Sequence, residues 1–117
     1  MSEKQQGEEL LVVQKAYDLA GQMTQRVRKL PRDLRFVLGD RMLNTAYDVL
    51  DALLEARYAR RRRADLLAHA NLLLERMRYQ VRLCHEERLL SIRQYGFLAE
   101  RIDEVGRMVG GWAKKAA

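Results

Sequence analysis

The segment Arg57-Tyr58-Ala59-Arg60-Arg61-Arg62-Arg63 carries five guanidinium groups and no carboxylate. Held close together these charges repel one another, and a short connection between helices has no structural need of them. A guanidinium offers its donors in a planar fork that matches phosphate with two bonds at once. The chain uses 17 Arg against 5 Lys, so its basic complement is of the kind suited to phosphate. Downstream, Arg78 and Arg82 share one helix flank with His85, and Arg76 lies further out. The candidate nucleic-acid-binding residues are therefore Arg57, Arg60, Arg61, Arg62, Arg63, Arg76, Arg78 and Arg82. Arg78 has a competing partner in Glu75, three residues before it. Further basic residues stand around the single proline (Arg26, Arg28, Lys29, Arg32, Arg35) and at Lys114-Lys115. Tyr58 and Tyr79 are the aromatics near the arginines. That scarcity argues against stacking of bases on exposed rings and for contact with the phosphate backbone. The competing reading is a solvated face that serves solubility.

Other chemistry finds less support. Cys84-His85-Glu86-Glu87 has metal-ligand residue types, but adjacent helical positions point about 100° apart and do not share a site. Cys84 falls on an apolar seam and reads as a small core residue, and His85 as a flanking side chain. Neither His69 nor His85 has a Glu three residues before it, as two-metal bundles require. No His-Glu-x-x-His, phosphate-binding glycine loop or nucleophile elbow occurs. Gly106-x-x-x-Gly110 reads as a close helix crossing. No catalytic residue, metal site or cofactor is expected.

Long helices must position the arginines. The chain has 117 residues, one proline and 7 glycines, which leaves little for turns. Net charge is +6, a balance suited to polyanions. The single Cys84 fits a reducing cytoplasm, the polar start does not read as a signal peptide, and no apolar stretch approaches a membrane span. Residues 1–7 read as frayed and residues 8–117 as one domain. Helix one is expected from about Glu8 to Lys29, with a stripe of Leu10, Val13, Tyr17, Ala20, Met23, Val27 and Leu30. Pro31 ends it. Helix two runs to about Tyr58, with an interruption near Leu38-Gly39. Its expected buried set is Phe36, Met42, Leu43, Ala46, Val49, Leu50, Leu53 and Leu54. Helix three, about Arg63 to Arg88, has the seam Leu67, Ala70, Leu74, Met77, Val81 and Cys84. Helix four starts at a capping box, Ser91 with Gln94, and has the seam Tyr95, Leu98, Ile102, Val105, Val109 and Trp112. Short connections between such helices make an all-α, up-down-up-down antiparallel four-helix bundle.

One stripe per helix does not use all the apolar residues. Leu10 to Val13 sweep most of a helix circumference, and Leu72 and Phe97 point away from their seams. Leu11, Leu72 and Phe97 are the expected contacts of a homo-oligomer.

Several segments resemble the accessory variability determinant family of diversity-generating retroelements. They are Leu30-Pro31-Arg32-Asp33-Leu34-Arg35-Phe36-Val37-Leu38-Gly39-Asp40-Arg41, Ala70-Asn71-x-x-Leu74-Glu75-Arg76-x-Arg78, and Leu89-Leu90-Ser91-x-x-Gln94-Tyr95. The most specific is the ending Gly106-Arg107-Met108-x-Gly110-Gly111-Trp112. The resemblance implies a homopentameric, barrel-like ring of four-helix bundles with a positive surface. It further implies binding to RNA or DNA and association with the retroelement reverse transcriptase, supporting mutagenic complementary-DNA synthesis in retrohoming, with no catalysis by the protein itself. The arginine run matches no motif of that family, so its role rests on charge. The alternative is a structural bundle oligomer, similar to the ribosomal-RNA intervening-sequence proteins, acting as a scaffold for protein partners.

Overall fold

The computed structural model describes residues 2–116. Four long helices carry the fold: α1 (Glu3–Arg28), α3 (Asp40–Tyr58), α4 (Arg63–Glu86) and α5 (Ile92–Ala116). Between α1 and α3 lie a single helical turn, α2 (Arg32–Leu34), and a π-helical turn, Arg35–Gly39. A 3-10 turn, Arg60–Arg62, joins α3 to α4. No strand occurs among the described residues. Each long helix packs on two others: α1 on α3 and α5, and α4 on α3 and α5. The result is a four-helix bundle 46 Å long and 24 by 18 Å across.

One core runs the length of the bundle. The seams expected for the third and fourth helices are buried as read, with Leu66 and Leu73 added on α4 and only Tyr95 left partly exposed. Cross-helix pairs mark how the ends meet. Glu8 pairs with Lys115 and Lys15 with Glu104 between α1 and α5. Thr45 Oγ1 accepts from Gln80 Nε2 at 3.0 Å, and Cys84 Sγ lies 3.5 Å from Met42 Sδ, between α3 and α4. Burial pushes the Cys84 thiol up, so it stays protonated as a core residue.

Three expectations need correction. First, α1 does not start near Glu8. Ser2 Oγ accepts from the Gln5 amide and Gln5 Oε1 from the Ser2 amide, both at 3.1 Å, so a capping box starts the helix at Glu3. Second, the buried stripe of α1 begins Val12, Ala16, Leu19, while Leu10 and Tyr17 are exposed. Four consecutive apolar residues fit either register, and the packed one places small Ala16 towards the core. Third, Phe36 and Leu54 are exposed rather than core. For Phe36 the cause is the π turn: the Asp40 amide donates to the Arg35 carbonyl five residues back, and the wider turn rotates Phe36 outward. Gly39 sits where α1 comes close, and a Cβ there would lie 2.7 Å from Val27 Cγ1.

The end of α4 is closed by a residue of unusual conformation. The Leu89 amide donates to the Cys84 carbonyl at 2.8 Å and the Arg88 amide to the His85 carbonyl at 3.0 Å. These two bonds form a Schellman motif, whose left-handed position is usually glycine. Here it is Arg88, with φ of 63°. Arg88→Gly relieves a Cβ penalty of roughly 1–2 kcal/mol against a chain-entropy cost of roughly 0.5–1 kcal/mol. A net gain of about 0.5–1 kcal/mol is expected, read as a higher urea midpoint with unchanged slope. A lower midpoint contradicts this account of the turn.

Candidate nucleic-acid interface

The connection carrying the arginine run is built by a break in backbone geometry. Ala59 (φ −93°, ψ 76°) leaves helical space after Tyr58, and the next three arginines form a tight turn before α4 begins. The last carbonyls of α3 then need donors. Arg63 supplies them: Nε donates to the Ala56 carbonyl at 2.6 Å and an Nη to the Arg57 carbonyl at 2.8 Å. A cation at a helix C-terminus also meets the negative end of the macrodipole. The same guanidinium lies over the Trp112 ring, 5.9 Å from its centroid. Arg63 therefore ties α3, α4 and α5 together at this end, and much of its donor capacity is spent.

The other seven candidates divide by their partners. Arg60, Arg61 and Arg76 are exposed and have no carboxylate within ion-pair distance among the described residues. Arg62 pairs with Glu55 at 2.6 Å and Arg82 with Glu86 at 3.6 Å, both in the open. Exposed pairs of this kind contribute about 0–1 kcal/mol, so phosphate can displace them. Arg57 lies over the neighbouring Tyr58 ring and is partly buried, with its Nε enclosed and unpaired. Arg78 is committed within the bundle. It reaches Glu75 and Asp103, each at 3.0 Å, and folds over Gly106, where a Cβ would lie 2.7 Å from Nη2. Gly106 therefore makes room for a guanidinium, and no close helix crossing is seen at Gly110, where a Cβ would meet nothing within 4 Å.

A second basic region lies at the opposite end. There the α1–α3 and α4–α5 connections meet, linked through the Met42–Cys84 contact. Arg28, Lys29, Arg32, Arg41, Arg88 and Arg93 are exposed there, without ion pairs among the described residues, beside exposed Phe36, Val37 and Ile92. Arg88 and Arg93 join this group only through the fold. The signal for them was available: both flank the Ser91 cap, and a helix start must sit at a bundle end.

Leu11, Leu72 and Phe97 are exposed on three different helices, and Arg101 covers the Phe97 ring at 4.4 Å. No cluster of three or more His, Cys, Asp or Glu able to hold a metal occurs among the described residues. His85 stacks on Tyr95 with centroids 4.9 Å apart, and its Nδ1 lies 3.1 Å from the Leu90 carbonyl oxygen. No helix among the described residues is long and apolar enough to cross a membrane.

The division of roles among the arginines is testable by stability. Arg63→Gln loses charge-assisted bonds to two carbonyls and is expected to cost about 1.5–3 kcal/mol. Arg61→Gln is expected to stay within about 0.5 kcal/mol of the parent. Urea unfolding of both variants measures this, and equal losses contradict it.

No curated protein and no solved structure matches the chain. A family model described as bAvd-like does match, over residues 10–116. That span takes in most of α1, the other three long helices and both connections that carry the basic residues, so the chain belongs to the bAvd-like family.

Proposed function

We propose that the chain is a non-catalytic accessory protein of a diversity-generating retroelement. In this reading it binds RNA or DNA through phosphate and associates with the element's reverse transcriptase. It thereby supports mutagenic complementary-DNA synthesis in the cytoplasm. Membership of the bAvd-like family over residues 10–116 is the observation that carries this reading. The unpaired Arg60, Arg61 and Arg76, with the basic residues of the opposite end, support the nucleic-acid part.

The working assembly is a homopentameric ring of antiparallel, up-down-up-down bundles. The pairs Glu8–Lys115 with Lys15–Glu104, and Met42–Cys84 with Thr45–Gln80, support antiparallel neighbours, since one number rises as its partner falls. A ring needs two different faces on each subunit. Leu11 on α1 and Leu72 on α4 suit that need, because these helices occupy diagonal corners of the bundle.

Binding to RNA should weaken steeply with salt, by a log-log slope of about −0.7 per phosphate engaged on single strands. Changing Arg60, Arg61 and Arg76 together to Gln is expected to make that slope shallower by about 2, with helicity unchanged. Equal slopes would return these residues to a solvated face and favour a scaffold for protein partners. Light scattering should give five times the 13.7 kDa subunit mass. A monomer at micromolar concentration contradicts the ring.

A further inference from the structure

At the end of the bundle that carries the arginine run, a cavity of about 520 Å³ opens between α1, α5 and the α3–α4 connection. Pockets that take small organic molecules run from about 300 to 1,000 Å³. Its apolar lining includes Leu11, Val12, Met108 and Trp112, Leu11 being shared with the α1 face proposed for the ring, and its other lining residues include several charged ones. Those charges are not equivalent. Glu8 is held by Lys115, whose ammonium keeps the Glu8 carboxyl below its usual range. Arg63 is spent on the Ala56 and Arg57 carbonyls and on the Trp112 face. Two groups on the wall remain without partners among the described residues: the Glu9 carboxylate and the Arg60 guanidinium.

Glu9 is the anomaly. Only 6% of it is exposed, yet it makes no hydrogen bond or ion pair among the described residues. The side chain lines the cavity and its carboxylate oxygens are not among the fully enclosed polar atoms, so they keep a path to what enters there. Glu9 offers the cavity acceptors only, and Arg60, also on its lining, offers donors to an anion. An ionised carboxylate only accepts, so it is matched by two parallel N–H donors. Among the four RNA bases, the Watson–Crick edge of guanine alone presents such a pair, N1–H and the exocyclic amine. Adenine and cytosine place an acceptor beside their amine, and uracil flanks its one N–H with two carbonyls.

We infer that this cavity is a guanine-nucleotide pocket, in which Glu9 accepts from the base edge, Val12, Met108 and Trp112 line the base, and Arg60 takes the phosphate. The choice of a nucleotide rests on the nucleic-acid reading, and the pocket adds base selection to a surface that otherwise reads only charge. It would seat one unpaired guanine of a bound RNA.

Trp112 is the only tryptophan of the chain and lines the cavity, so its emission reports occupancy. Titration of the intact protein with GMP, AMP, CMP and UMP is expected to change that emission with GMP at least about tenfold tighter than the rest, as hydrogen-bonding sites discriminate. Glu9→Gln, which replaces one acceptor oxygen by a donor, should remove the preference while binding of long RNA keeps its salt dependence. Arg60→Gln should bring GMP down to the affinity of guanosine. No response to millimolar GMP, equal affinities for the four nucleotides, or a preference that survives Glu9→Gln would each overturn the pocket. Failure of the nucleic-acid reading is separable, because it shows as absent salt-dependent binding of long RNA by the parent protein.

Discussion

Burial of one apolar stripe per helix in a shared core is the constraint on which the remaining structure depends. Met23, Leu53, Leu67, Leu74, Met77 and Ile102 are wholly enclosed, and fully burying side chains of this size contributes roughly 1.5–3 kcal/mol each. Once the four stripes are spent inward, the charged residues have only the bundle's flanks and ends to occupy. The ends collect the arginines because the connections fall there. At one end Arg63 turns part of that charge into a fastening of three helices, leaving Arg60 and Arg61 outside. Arginine thus does two jobs within four consecutive residues, and its partners distinguish them better than its position in the sequence.

Much of the bundle could be read from the chain because two of its helices carry a sustained apolar seam. On α5 the buried residues from Leu98 to Trp112 repeat at three- and four-residue steps; on α4 the same steps link Leu67 to Cys84, although Leu66 and Leu73 beside the seam are buried as well. The Ser91–Gln94 cap announced itself by standing directly before such a seam. The same Ser-x-x-Gln pattern at Ser2 was masked by the polar residues that follow it, although its two bonds are equivalent. On α1, the run Leu10 to Val13 carried no phase information, and packing chose Val12. The π turn at Arg35 to Gly39 is not coded by periodicity at all. It sets Gly39 close to Val27 and leaves Phe36 and Val37 outside.

The candidate site was legible in composition and less so in role. Charge imbalance identified the arginine run, and the pairing of Arg78 with Glu75 follows from their spacing. The second carboxylate on Arg78, Asp103, comes from another helix and has no local signature. Glu9 is the clearest case of information held only in three dimensions. In the sequence it is one of two adjacent acids in a polar stretch, whereas in the fold Glu8 finds Lys115 and Glu9 faces a cavity alone. A domain that leaves this lining carboxylate unpaired, yet satisfies its neighbour, leaves an acceptor open to the cavity.

Nucleic acid is proposed to meet this protein at its arginine-bearing surfaces. Ultraviolet cross-linking to a uniformly labelled RNA, followed by mass spectrometric mapping of the attached peptides, reads out that contact. Cross-links are expected in peptides containing Arg60 to Arg62 and Arg76. Cross-links absent altogether, or confined to peptides remote from these arginines, would contradict it.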